Sequence, residues 1–324
     1  MTKYIIRRTL QAIPLLWVIS VIVFLLLQII PGGPMAAYEQ NPDLSAEDLA
    51  RLEEQLGLND PIHIKYLKWF GNILRGDWGY SLATKRPVLV EIGDRLPNTL
   101  LLMGVSFITT IIFSLPIGIF SALRQYSIFD HVVTTIAFMG QSIPIFWFGL
   151  ILIIIFHVTL ENPFTGKPLF PARGMTTLGK PFSIGDLIWH MVLPVTMLTL
   201  FSAGTYTRYM RSSMLEVIHL DYIRTARAKG LSERAVIYGH ALKNAALPVV
   251  TIMALDLPSL FGGALFTETI FSWPGMGRLF YRSAERVDYA MLMAIIMINA
   301  ALIVFFNLLA DIAYAYLDPR IRYD

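Results

Sequence analysis

Along most of this chain the apolar residues neither alternate nor recur at every third or fourth place; they run on for about 20 positions before a polar group interrupts. A bilayer core about 30 Å thick is crossed by about 20 helical residues rising 1.5 Å each, so every such run predicts a spanning helix. Six runs qualify: Leu10 to Ile30, Thr99 to Leu123, Val132 to Leu160, Trp189 to Met210, Leu247 to Ile270 and Tyr289 to Leu317. The third is too long for one perpendicular crossing, and its GQSIP stretch, Gly140 to Pro144, holds a proline that removes a donor and pushes its predecessor out of helix. A short approach segment followed by a span over 144–160 is expected there.

The polar interval 31–98 has a different grammar. Ser45 to Gly57 carries a serine cap, acids in the first turn, Leu49, Leu52 and Leu56 on one face and a closing glycine, the marks of an amphipathic helix. A second such helix begins at Asp60-Pro61 and carries Tyr66, Leu67, Phe70, Ile73 and Leu74 before Gly76. The pattern leaves two roles open for this insertion, shaping the mouth of a path or lying on the membrane surface.

Composition agrees with the runs: 55% of residues are hydrophobic and 15% charged, which places the chain among membrane proteins. Lys3, Arg7 and Arg8 precede the first run as in a secretory signal. The run is longer than a signal's apolar core and no small-x-small cleavage site follows, so a retained anchor is expected. These cations put the N-terminus in the cytoplasm, and six crossings return the C-terminus there with Arg320 and Arg322. The cytoplasmic segments then hold Arg124, Arg208, Arg211, Arg224, Arg227, Lys229, Arg234 and Lys243. The two short external loops hold Lys167, Arg173, Lys180, Arg278, Arg282 and Arg286.

Several chemistries are disfavoured. There is no cysteine, which removes disulfides, thiol catalysis and thiolate metal sites. No glycine-rich loop ends in Gly-Lys-Ser/Thr, so ATP is not expected on this chain by the P-loop route. The 6 histidines show no metal-site spacing, no catalytic triad is marked, and a net charge of +3 is small for a nucleic-acid binder. Asp256, in the middle of the fifth run with Ser259 a turn later, either borders an aqueous path or is hydrogen-bonded to a neighbouring helix. Glu268 and Asp311 lie nearer run ends, where solvation is easier.

The charged, alanine-rich stretch DYIRTARAKGLSERAVIYGHALKNAALP, residues 221 to 248, stands out against this background. Helix formers up to Ala228, an interruption at Gly230, a cap at Ser232 and Glu233 in the next first turn predict helix, bend, helix. Arg224, Arg227 and Lys229 sit beside the small Thr225, Ala226 and Ala228, a surface that fits a partner's groove or serves topology and anionic lipid.

That stretch resembles the cytoplasmic signature loop of permease subunits in binding-protein-dependent ABC importers. The generic form has Glu-Ala-Ala where this chain has Arg224, Thr225 and Ala226, and Ile-x-Leu-Pro where it has His240 to Lys243. RTARAKGL followed by HALKNAALP is instead similar to the dipeptide, oligopeptide and nickel permease subfamily. The resemblance continues through IIPGGP, LGLNDP, RGDWGYS, SIFDH, PIFWFG, RSSMLEV, TETIFSWPGMGRL and the ending DPRIRY.

The resemblance implies an all-α permease of the type I ABC importer fold: one transmembrane domain over 1–324, with spans near 10–30, 99–123, 144–160, 189–210, 247–270 and 289–317. It implies an external insertion at 31–98 and a cytoplasmic coupling loop at 211–246, in a bacterial or archaeal cytoplasmic membrane. A non-enzymatic subunit is expected, paired with a second permease, driven by two cytoplasmic ATPases that hold ATP and Mg, and supplied by an extracytoplasmic receptor. Its other contacts are membrane lipids. Arg224, Thr225, Ala226, Arg227, Ala228, Lys229, Gly230 and Leu231 match the coupling helix, and Asp256 and Ser259 are path candidates. Di- or oligopeptides are the expected cargo; nickel, glutathione or sugar on the same scaffold, and a self-contained ion-coupled carrier or channel, are the alternatives.

Overall fold

The computed structural model describes residues 2–29, 35, 45, 47, 49, 51, 53, 59–258, 260 and 264–317. The helix expected over Ser45 to Gly57 lies largely outside the described residues, and Ser259, Arg320 and Arg322, most of IIPGGP and all of DPRIRY lie outside them. Among the described residues there is no strand; two isolated bridges, Tyr80 to Pro87 and Glu161 to Pro168, close hairpin-like loops.

Among the described residues the continuous helices are α1 (Thr2–Gln28), α2 (Ile62–Leu74), α3 (Val88–Leu123), α4 (Ile128–Ser142), α5 (Ile145–Ile153), α6 (Ile184–Ile218), α7 (Asp221–Ala228), α8 (Glu233–Asp256), α9 (Leu265–Ile270), α10 (Met276–Glu285) and α11 (Tyr289–Leu317). Five are long and apolar enough to cross a membrane among the described residues, and α4 with α5 and its π-helical continuation to Thr159 makes a sixth if the bent pair is one crossing. That pair bends by 105° at the break before Pro144, where the sequence predicts the interruption.

Three helices have boundaries elsewhere than expected. The fifth helix occupies Glu233–Asp256 rather than 247–270, because Ser232 caps it early and Pro258 follows its end, with Gly262 and Gly263 beyond. Asp256 is therefore the last residue of a helix and not the middle of one. Part of the stretch expected as loop over 211–246 is helix at both ends, because Met210, Met214 and Val217 continue the buried face of α6 past the apolar run. Likewise α3 starts eleven residues before Thr99, at Val88.

The chain forms two compact units, and the boundary between them in sequence falls inside α3. The first comprises Met1–Thr99, Phe261–Leu265 and Pro274–Asp324. Its core is made where Val23, Phe24 and Leu27 of α1 meet Tyr289, Leu292, Met293 and Met297 of α11. Helix α2 leans on α1 through aromatic contacts: Phe24 meets Tyr66 edge-on at 5.5 Å and Trp69 at the same distance, and Ser20 Oγ and Tyr66 Oη share a hydrogen bond of 2.8 Å. Leu67 and Leu74 on this helix remain exposed.

The second unit comprises Leu100–Leu260 and Phe266–Trp273. Small residues let its helices approach closely. A Cβ on Gly118 of α3 would lie 2.7 Å from the Thr207 carbonyl oxygen of α6, and one on Gly204 of α6 would lie 2.9 Å from the Ala137 carbonyl oxygen of α4. Backbones in membranes commonly meet at such small-residue contacts, where there is no water to drive apolar burial. Hydroxyls add interhelical bonds: Thr199 Oγ1 donates to the Ser106 carbonyl at 3.4 Å, and Thr207 Oγ1 to that of Ser114 at 3.3 Å.

Candidate coupling loop and polar cavity

The loop after α6 is built on one buried stripe. Within α7, Ile223 is fully buried and Ala226 is 6% exposed, and both join a core with Met214 and Val217 of α6 and Val236, Ile237 and Ala241 of α8. Burying one isoleucine stabilises by roughly 1.5–3 kcal/mol, enough to fix so short a helix to the ends of two long ones. Ala226 thus faces inward, which corrects its expected place on the presented surface; Ile223, three residues earlier on the same face, carries the signal for this. Thr225 and Ala228 remain outside with Arg224, Lys229 and Leu231.

Gly230 closes α7 with a left-handed backbone, φ +78°, and nothing lies within 4 Å of the site of a Cβ there. The glycine is required by conformation and not by space. Its N–H donates to the Arg227 carbonyl at 2.9 Å, and that of Lys229 to the Thr225 carbonyl at 3.0 Å. Ser232 Oγ then accepts from the Ala235 N–H and opens α8. Across this turn Arg227 forks onto Glu233, with Nε to Oε2 at 3.1 Å and Nη2 to Oε1 at 2.7 Å. The carboxylate raises the guanidinium's proton affinity above its usual value. Arg227 is therefore already engaged within the chain, whereas Arg224 is 71% exposed and only 3.6 Å from Asp221, a loose contact.

A second fork, which the sequence does not reveal, lies at the base of this region. Arg211 of α6 donates through Nε and Nη2 to both oxygens of Asp130 on α4, at 2.6 and 2.7 Å. Asp130 is 2% exposed and also accepts from the Ser121 hydroxyl and, at 3.0 Å, from the Tyr126 N–H. A buried carboxylate with this many donors is fully satisfied. The available signals were local: Ser127 and Asp130 form an N-terminal cap with first-turn acid, and Arg211 ends an apolar run.

Of the two readings open for Asp256, the hydrogen bond to a neighbouring helix is present. Tyr206 Oη of α6 donates to its Oδ2 at 2.5 Å, and it lines a cavity of about 240 Å³ with Ser106, Thr110, Ser202 and Tyr206, all in the second unit. Ser259, its expected companion, lies outside the described residues. No group of three or more metal-ligating side chains is found among the described residues.

Long apolar helices around a hydroxyl-lined cavity, with a basic helical loop pinned to their ends, define a polytopic membrane protein. The chain belongs to the family described as binding-protein-dependent transport system inner membrane component, whose model matches residues 114–323, preceded by the N-terminal model of the same systems on 1–103. It is 48% identical over 324 residues to the oligopeptide transport system permease protein AppB of Bacillus subtilis, covering 100% of both chains. It is 37% identical to the dipeptide transport system permease protein DppB of Escherichia coli K12, covering 100% of this chain and 99% of that one. A solved structure of the MetNI methionine ABC transporter, facing inward, matches with a TM-score of 0.54 at 18% identity over 72% of this chain and 98% of that chain. That likeness shows the fold, an ABC importer permease. Family membership makes the chain a multi-pass transport component of the inner membrane, within a system that depends on a solute-binding protein.

Proposed function

We propose that this chain is the permease subunit of an ATP-driven importer of di- or oligopeptides. The observation that carries the reading is end-to-end similarity, at 48% identity, to an oligopeptide permease. The chain pairs with a second permease around a shared path, while two cytoplasmic ATPases bind and hydrolyse ATP with Mg. Its N- and C-termini lie in the cytoplasm. The loop from Arg224 to Leu231 transmits ATPase motion: a short helix pinned by Ile223 cannot move without moving α6 and α8, and its outer face presents Arg224, Thr225, Ala228 and Lys229. Asp256 and Tyr206 border the path through the second unit.

The test is reconstitution of the chain with its partner permease, ATPases and receptor in vesicles. ATP-dependent uptake of labelled di- and oligopeptides is expected, with nickel, glutathione and sugars as poor competitors. Uptake driven by an ion gradient through this chain alone would overturn the reading. Reversing the charge of Arg224 and Lys229 together is expected to leave assembly intact and lower uptake per ATP hydrolysed at least tenfold, an effect of about 1.4 kcal/mol on coupling. Unchanged coupling in that double variant would remove the loop's assigned role.

A further inference from the structure

The chemistry of the cavity beside Asp256 is narrower than that of a merely polar space. It lies within the second unit, between α3, α6 and the end of α8. Ser106 of α3 and Ser202 of α6 stand on its wall, each roughly 25 Å from either end of its own helix at 1.5 Å per residue, so the cavity sits midway along both. An ionisable group at that depth is costly, and such groups commonly mark the path of a transported solute.

The hydroxyl donors around the cavity are committed. Tyr206 Oη donates to Asp256 Oδ2 at 2.5 Å, Ser106 Oγ to the Leu102 carbonyl at 2.8 Å and Thr110 Oγ1 to the Ser106 carbonyl at 2.7 Å. A hydroxyl that has given its one hydrogen keeps only lone pairs, so these three oxygens, like the carboxylate, can act further only as acceptors. Tyr206 is moreover a neutral donor, which does not cancel a carboxylate's charge. Among the described residues lining the cavity there is no lysine, arginine or histidine. The backbone adds charge of the same sign: α8 closes at Asp256, with Pro258 just beyond, and the carbonyl end of a helix is partially negative. Helices that stop beside a cavity inside the membrane hold cations with such ends in other transporters.

Acceptors, one carboxylate and a negative helix end together fit a group that is positive and donates on every side. A primary ammonium has three donors and no acceptor. Volume sets its carrier: at about 10–15 Å³ per water, a cavity of about 240 Å³ holds roughly twenty waters, far more than a bare metal ion fills and enough for the leading residue of a peptide. The α-amino group, with an ordinary pKa near 8, is mostly protonated at pH 7. It is also the cation that di- and oligopeptides share whatever their side chains.

We propose that Asp256, held in place by Tyr206, binds the terminal ammonium of the peptide in transit, with Ser106 and Thr110 as further acceptors. The occupant rests on the peptide cargo proposed above.

The experiment uses the whole importer in vesicles with its receptor. Uptake is measured for a labelled dipeptide and for its N-acetyl form, at concentrations that load the receptor equally, set by titrating the receptor alone. The wild type is expected to carry the free amine about tenfold faster than the acetylated peptide. Asp256→Asn keeps the shape and loses the charge; it should slow the free amine about tenfold and abolish the preference, with ATPase stimulation by loaded receptor reporting assembly. Asp256→Glu should regain much of the preference, which a purely structural role for the residue would not require. Equal handling of the two peptides by the wild type overturns the site whether or not the asparagine variant assembles. So does an assembled asparagine variant with unchanged uptake and preference. Both outcomes leave the peptide reading standing, whereas absence of any peptide uptake by the wild type overturns that reading and the occupant with it.

Discussion

Two arginine forks in the second unit have almost the same geometry and opposite surroundings. Arg211 grips Asp130 at 2.6 and 2.7 Å with side chains 25% and 3% exposed, whereas Arg227 grips Glu233 at 3.1 and 2.7 Å with 38% and 57% exposed. Solvation decides what each is worth. Water around the outer pair screens the attraction and competes for both partners, leaving about 0.2–1 kcal/mol. Around the inner pair water is scarce, so the charges depend on each other and on Ser121 and Tyr126. The inner fork ties α4 to α6; the outer one trims a turn whose main attachment is Ile223.

Breaking the inner pair is expected to do the most damage. Asp130→Ala leaves Arg211 beside an empty acceptor site and should cost about 3 kcal/mol, seen as lower yield and thermal stability of the complex in detergent. Comparable stability to wild type would mean that water reaches this pair and that the contrast is false. The double variant Asp130→Leu with Arg211→Met sharpens the point: because both charges go, most of the loss should be recovered. Gly230→Ala should cost about 1 kcal/mol through its positive φ alone, since no atom crowds the position. The smallest effect belongs to the outer pair, where Arg227→Gln should change stability by less than about 1 kcal/mol. A larger loss there would place the outer fork on a level with the inner one.

The parts of this architecture that are local in sequence were legible, and the tertiary parts were not. Five of the expected runs hold helices of spanning length among the described residues, and the break before Pro144 follows from proline's missing donor, the turn at Gly230 and the cap at Ser232 from backbone preference. The fifth span was displaced because hydropathy alone carries on past Pro258, Gly262 and Gly263, while the structure obeys the proline. The Asp130 to Arg211 fork joins residues 81 apart, and nothing in either neighbourhood names the other. The inward turn of Ala226 was readable from Ile223, but a charged helix of eight residues draws attention to its cations instead.

The glycine contacts of the second unit carry a mechanical meaning. At Gly118 and Gly204 the backbones of α3, α6 and α4 come so close that a Cβ at either glycine would lie 2.7 or 2.9 Å from a carbonyl oxygen of the next helix. Contacts of that kind leave little room for one helix to slide on the next. If α7 is driven as proposed, the core it shares with α6 is where the push would enter, and the seats at Gly118 and Gly204 are where it would leave.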